Sequence, residues 1–114
     1  MRAIVAKRVE GGTADLSELR DLAAAAGYTV VGELTQTREE DPAYCFGEGK
    51  VEELAALVAE TDADTVIVDN EIGPFQTFNI GQTLPGDIEV LDRFTLILDI
   101  FGQRAQTRKA QLQV

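Results

Sequence analysis

One hundred and fourteen residues, 45% apolar and 26% charged, are enough for one ordinary domain with a buried core. The chain has no His, a single Ser and a single Cys, which excludes a Ser-His-Asp or Cys-His triad and a zinc site built from Cys and His. One thiol and the lack of an apolar leader or spanning run are typical of a cytoplasmic chain. We therefore expect a cytoplasmic protein without membrane insertion, catalytic residues or metal ligands.

The net charge of −10 comes from ten basic and twenty acidic residues. Such a charge normally argues against a nucleic-acid partner, because contacts to phosphate need a positive patch. Only three of the cations are Lys, and an acidic, lysine-poor surface is typical of proteins that work in very high salt, where self-repulsion is screened. A halophilic origin is therefore a hypothesis that salt-dependent stability would test.

Strands and helices alternate along the chain. β-Branched apolar runs predict strands over 2–9, 28–37, 65–69 and 88–91. Helical spacing predicts a first helix with Asp15 and Glu18 in a capping-box arrangement and Gly27 as its C-terminal cap. The same spacing predicts a second helix over 50–61, and Gly73-Pro74 begins a short third one with Phe75 and Phe78. This order predicts an α/β fold: a four-stranded, mainly parallel sheet, strand order 2-1-3-4, with helices on both faces.

The last segment is a long amphipathic helix. Phe94, Leu98, Phe101, Ala105 and Leu112 form one apolar stripe, and the sequence reaches Val114 without a helix stop signal. We expect residues 1–92 to form the α/β domain and residues 93–114 to begin a helix that is truncated here.

One glycine-rich element, Gly47-Glu48-Gly49-Lys50, precedes the second helix. Backbone N–H groups there could hold an anion with Lys50 as counter-charge, but neither a P-loop nor a G-x-G-x-x-G pattern is present. We favour a structural reading, in which a glycine supplies a positive φ at the entrance to the helix.

Two other patterns receive structural readings. Asp99 to Gly102 matches D-x-x-G inside a helix, which we interpret as accidental. Asp69 and Asp92 follow strands, where a Mg²⁺ or sugar site is conceivable. We favour Asp92 as the cap of the last helix and Asp69 as stabilising the next turn. The basic group of Arg104, Arg108 and Lys109 fits either phosphate contacts or pairing with nearby acids.

Three blocks carry a family resemblance: GYTVVGELTQ at 27–36, YCFGEGKVEEL at 44–54 and VLDRFTLILDIFGQRAQTRKAQLQV at 90–114. Together they closely resemble the N-terminal domain of HflX-type ribosome-associated GTPases. The resemblance implies that a helical hairpin and a GTPase domain follow this domain, that the whole protein binds GTP with Mg²⁺, and that it docks on the large ribosomal subunit and helps split ribosomes.

The leading interpretation is therefore a non-catalytic, monomeric, ribosome-docking and regulatory domain that holds no cofactor of its own. The candidate rRNA contacts are Arg38, Lys50, Arg93, Arg104, Arg108 and Lys109. The alternative is a small α/β module that binds ATP or GTP through Gly47, Gly49 and Lys50. A flavodoxin-like or receiver-like module has the same architecture but lacks the expected cofactor loop or acidic pocket.

Overall fold

The computed structural model describes residues 1–102, and the residues Arg104, Arg108 and Lys109, for which phosphate contacts were predicted, lie outside that part. Its centre is a four-stranded sheet in which every pair of neighbouring strands is parallel. The order is β2-β1-β3-β4, as predicted. The strands are β1 (Arg2–Val9), β2 (Thr29–Thr37), β3 (Thr65–Val68) and β4 (Glu89–Asp92).

Helices cover both faces of this sheet, also as predicted. They are α1 (Ser17–Ala25), α2 (Glu48–Thr61), α3 (Pro74–Thr83) and α4, which is helical over residues 93–102. The side chains of Leu54 and Ile80 place α2 and α3 over one hydrophobic cluster. Leu19 and Leu96 place α1 and α4 over the other.

The two central strands form because their side chains are buried on both sides of the sheet. Ala3, Ile4, Val5 and Ala6 of β1 have no exposed surface. Ile4 and Ala6 face the cluster under α2 and α3, whereas Ala3 and Val5 face the one under α1 and α4. A continuous apolar run is what such a doubly covered parallel strand requires.

The start of α1 differs from the predicted capping box. The helix begins at Ser17, and the Asp15 carboxylate accepts hydrogen bonds from the Ser17 backbone N–H (2.9 Å) and hydroxyl (2.7 Å), which lower its pKa. Glu18 does not complete the box but pairs with Arg93. The predicted cap at the other end is confirmed, because Gly27 follows the helix with φ of 92°.

Helix α4 has apolar side chains on two opposite sides. Leu96 is fully buried and Ile100 packs against the same cluster, so this side faces the sheet. The predicted stripe points away from it: Phe94, Leu98 and Phe101 are 58%, 68% and 61% exposed. Asp92 caps the helix as expected, accepting the Thr95 N–H at 2.7 Å. A helix with two apolar sides is suited to lie between two packed layers.

Candidate functional site

The α2 corner, formed by Gln36, Arg38, Gly47, Gly49 and Lys50, lies where β2 ends and α2 begins. Gly47 is the residue before the first helical turn, and no side chain caps this helix end. Its own N–H donates to Gln36 Oε1 at 2.8 Å. Because the carboxyl ends of parallel strands and the N-termini of the following helices share one edge of a sheet, these groups meet at the edge where ligands of such folds bind.

The reason for Gly47 differs from the one predicted. Its φ is −63°, so the element needs no positive φ at this glycine, and that reading is wrong. A Cβ at position 47 would overlap the Arg38 guanidinium, the end of a flexible and exposed side chain, and would approach Gln36 Nε2 to 3.1 Å. The left-handed residue of this loop is instead Cys45, with φ of 68°. A glycine at 47 thus lets the Arg38 guanidinium lie against the backbone at the helix end.

The two cations of the α2 corner have different partners. Lys50 Nζ pairs with Glu53 at 3.0 Å, and Glu48 occupies the first turn of the helix. Arg38 is exposed, and its Nε donates to the Glu39 carbonyl at 3.1 Å. Within residues 1–102, the corner therefore offers one guanidinium and free helix N–H groups to a single anionic group, but no extended basic patch.

A buried arginine fixes the loop between β2 and α2. Arg8 is only 9% exposed, and one of its terminal nitrogens donates to the Arg38 carbonyl at 3.0 Å. Its other terminal nitrogen is 4.0 Å from Glu40 Oε1. Arg8 Nε is buried without a hydrogen-bond partner in the part of the chain that the structure describes. Arg8 was not among the predicted site residues, although a cation inside an apolar strand was a visible signal.

Further hydrogen bonds hold the same loop, between β2 and α2. Asp41 and Cys45 form an isolated antiparallel bridge, and Gln76 Nε2 donates to the Asp41 carbonyl at 3.1 Å. Asn79 donates to the Ala43 carbonyl at 3.0 Å. Burial raises the pKa of the Cys45 thiol, and the adjacent Arg8 opposes that shift only in part. Cys45 therefore serves as a neutral, buried side chain in a tightly held loop.

Arg93 lies apart from the α2 corner, in a cluster that we call the Asp69 network: Lys7, Glu18, Asp69 and Arg93. The Asp69 side chain is 5% exposed, and its oxygens lie 3.3 Å from Lys7 Nζ and 3.5 Å from an Arg93 terminal nitrogen. Another Arg93 nitrogen pairs with Glu18. Asp69 was expected to stabilise the following turn; its carboxylate instead joins the ends of β1 and β3 to the first turn of α4.

The structure thus places the Arg38 guanidinium against Gly47, at the start of the helix that carries Gly49 and Lys50, whereas Arg93 pairs with Asp69 and Glu18. In residues 1–102 no group of three or more His, Cys, Asp or Glu side chains could hold a metal ion. The same residues include no helix with the length and apolar character needed to cross a membrane.

The comparison with known proteins covers nearly the whole described chain. The family described as GTP-binding GTPase N-terminal matches residues 13–102. GTPase HflX of Thermofilum pendens is 46% identical over 106 residues, which are 92% of this chain and 24% of that protein. GTPase HflX of Escherichia coli is 40% identical over 101 residues, 88% of this chain and 23% of that protein. The chain therefore spans about a quarter of the length of the curated relatives it matches.

Solved structures share the fold. A GTP-binding protein from the hyperthermophilic archaeon Sulfolobus solfataricus, in complex with GDP, superposes with a TM-score of 0.66 at 20% identity, covering 89% of this chain and 30% of that one. A structure of SsGBP with GDP gives a TM-score of 0.69 at 21% identity, over 90% of this chain and 29% of that one. At this identity the likeness establishes the fold alone.

Proposed function

The chain belongs to the family of N-terminal domains of HflX-type GTPases, and from that premise we propose that it is the ribosome-docking and regulatory domain of a larger GTP-binding protein. The observation that carries the proposal is the alignment with GTPases named HflX over most of this chain but only about a quarter of theirs. The GTP and Mg²⁺ sites and the hydrolysis of GTP then belong to other parts of the parent protein. Binding to ribosomes would place that protein in the cytoplasm.

Helix α4 has apolar side chains on two sides, which favours a further packed layer of structure in the parent protein. Its outward stripe of Phe94, Leu98 and Phe101 is exposed in the described structure. We propose that residues 93–114 begin a helical hairpin whose returning helix covers this stripe, while residues 1–92 form the α/β domain. The Asp69 network would then set the direction in which the hairpin leaves the sheet, with Arg93 as its positioning residue.

We propose that the α2 corner contacts the large subunit, with Arg38 and Lys50 directed at rRNA phosphates and Arg104, Arg108 and Lys109 adding contacts from the last segment. Arg38→Glu in the full-length protein should weaken co-sedimentation with large subunits about three- to tenfold. Arg20→Glu is the matched control, because Arg20 carries the same charge, is 56% exposed and pairs only with Glu33 in the described structure. Equal losses in both variants would contradict a specific role for the corner.

The last segment is tested separately by changing Arg104 and Arg108 together to Glu in the full-length protein, which should also weaken sedimentation with large subunits. Unchanged binding would make that pair structural. The isolated 114-residue chain should show no GTP turnover, and activity that survives repurification would overturn the non-catalytic assignment.

A second candidate function is a small module that binds ATP or GTP through Gly47, Gly49 and Lys50. The observation in its favour is the position of the Arg38 guanidinium over the uncapped start of α2. Calorimetric titration of the isolated chain with ATP and GTP distinguishes the two, because a specific site loses its heat signal in both Lys50→Ala and Arg38→Ala. Absence of any signal in the unmodified chain would remove this candidate.

A further inference from the structure

The acidic charge of this chain is concentrated in one continuous stretch. Residues 51–92 contain ten acidic residues and no Lys or Arg, so this stretch alone accounts for the net charge of −10. It comprises nearly all of α2, which packs against β2, together with β3, α3 and β4 at the other end of the strand order. The acids are Glu52, Glu53, Glu60, Asp62, Asp64, Asp69, Glu71, Asp87, Glu89 and Asp92.

Strand β4 forms the outer edge of the sheet within this acidic stretch. Among residues 1–102, only β3 pairs with it. The backbone N–H and C=O groups on its outer side are therefore available to a further strand. The opposite edge strand, β2, has mainly polar exposed side chains, including Thr29, Glu33, Thr35 and Thr37.

A groove lined by both apolar and polar side chains runs beside the free edge of β4, beneath α3. Two depressions meet there, and both are lined by Thr77, Phe78 and Val90. One extends past Ile72 and Pro74 toward α4, and the other past Gly86 and Ile88. Helix α3 has no charged residue, and the Phe78 ring that lines both depressions is 63% exposed.

A carboxylate lies at each end of the groove: Asp92 lines the end near α4, and Asp87 lines the other. Asp87 is exposed, and Asp92 uses one oxygen to cap α4. Asp87 has no Lys or Arg within five positions in sequence, and Arg93, the neighbour of Asp92, pairs with Glu18 and Asp69 instead. The groove thus combines an apolar centre with two negative ends.

We propose that the β4 edge binds an extended peptide segment in which an apolar side chain is flanked by Lys or Arg. The peptide adds a fifth strand beside β4, its apolar side chain packs on Phe78 and Val90, and its cations face Asp87 and Asp92. Side chains on one face of a strand recur every two residues, which favours the spacing cation-x-apolar-x-cation. A second copy of this chain fits poorly, since its own groove carries the same negative ends.

The test uses the 114-residue chain and a fluorescent peptide with the core Lys-Thr-Val-Thr-Lys, followed by anisotropy. Phe78→Ala should weaken binding at least about tenfold, because the ring forms the centre of the groove. Phe75→Ala is the matched control: Phe75 is a 67% exposed aromatic of the same helix that lines neither depression. Asp87→Asn should weaken binding about threefold and reduce its salt dependence. Circular dichroism confirms that each variant is folded.

Strand addition is tested by N-methylation of the peptide. The backbone N–H groups of the Lys and Val residues point to one edge of the peptide strand, and those of the two Thr residues point to the other. Methylating one set blocks one edge, so one of the two methylated peptides should lose binding and the other should retain it. The proposal is overturned if both peptides bind alike, if Phe75→Ala weakens binding as much as Phe78→Ala, or if a peptide with Thr in place of Val binds equally well. Self-association of the chain that Phe78→Ala abolishes would also overturn it, by identifying a second copy as the occupant.

Discussion

The stretch 51–92 and the remainder of the chain differ sharply in charge, although both contribute strands to the same sheet. The stretch has ten acids and no cation, whereas the remainder has ten of each. In the described structure only two of these ten acids form ion pairs, Glu53 with Lys50 and Asp69 with Lys7 and Arg93. Every one of those cations lies outside the stretch. The net negative charge of the chain therefore comes from this stretch, and few ion pairs join the stretch to the remainder.

Asp69 pairs with two cations outside the acidic stretch, and its removal should have the largest effect on the free energy of unfolding. Asp69→Ala leaves Lys7 and Arg93 without their buried partner, and we expect a loss of about 2 kcal/mol in the free energy of unfolding, below the value for fully buried pairs because both cations are partly exposed. Urea denaturation measures it. Glu60→Ala, an exposed acid of the same stretch, should cost less than about 0.5 kcal/mol. A similar loss in both variants would show that Asp69 does not join the regions.

Salt should act mainly on the acidic stretch. Raising NaCl from about 0.05 M to about 2 M shortens the screening length to a few ångströms, and we expect the free energy of unfolding to rise by ~1 kcal/mol. Changing Glu52 and Glu60 to Gln should reduce that gain. Changing Glu10 and Asp21 to Gln and Asn removes the same charge from the other region and should leave the gain unchanged. Stability that is independent of salt would also contradict the halophilic hypothesis.

The strands and their order could be predicted from the sequence because they depend on short runs of neighbouring residues. The runs at β1 and β3 are continuous and β-branched, and the alternation of strand and helix leaves few strand orders compatible with right-handed crossovers. The predicted ends agree with the structure to within two residues at both strands and at α2. Gly27 and Asp92 were predictable for the same reason, since caps depend on the few residues around a helix end.

The site residues were harder to predict because their partners are distant in sequence. Arg93 and Glu18 are 75 positions apart, and no spacing rule pairs them. The role of Gly47 depends on a side chain nine positions earlier, that of Arg38, which only the folded loop brings against it. The apolar stripe of α4 shows another limit: hydrophobic periodicity finds an apolar side but cannot say which of two such sides faces the sheet.

The smallest expected effect lies at the boundary between the two regions, at Tyr28. Burial raises the pKa of its hydroxyl above the ordinary 10.0, and the carboxylates of Glu89, Asp99 and Asp64 raise it further. Glu89 and Asp64 belong to the acidic stretch, whereas Tyr28 lies outside it. The pKa of Tyr28 therefore responds to the charge of the stretch. In a Tyr44→Phe background, where Tyr28 is the only tyrosine, Glu89→Gln should lower its pKa toward 10.0, as measured by tyrosinate absorbance.

The same shift makes a prediction about stability. Because the folded state holds the Tyr28 proton more tightly than the unfolded state, its contribution is complete below pH 10.0 and is lost as the pH rises above that value. Tyr28→Phe should flatten this decline, and Glu89→Gln should flatten it only in part, since burial remains the larger cause. If Glu89→Gln leaves both the pKa and the decline unchanged, the charge of the acidic stretch does not reach across the boundary, and the two regions are electrostatically independent there.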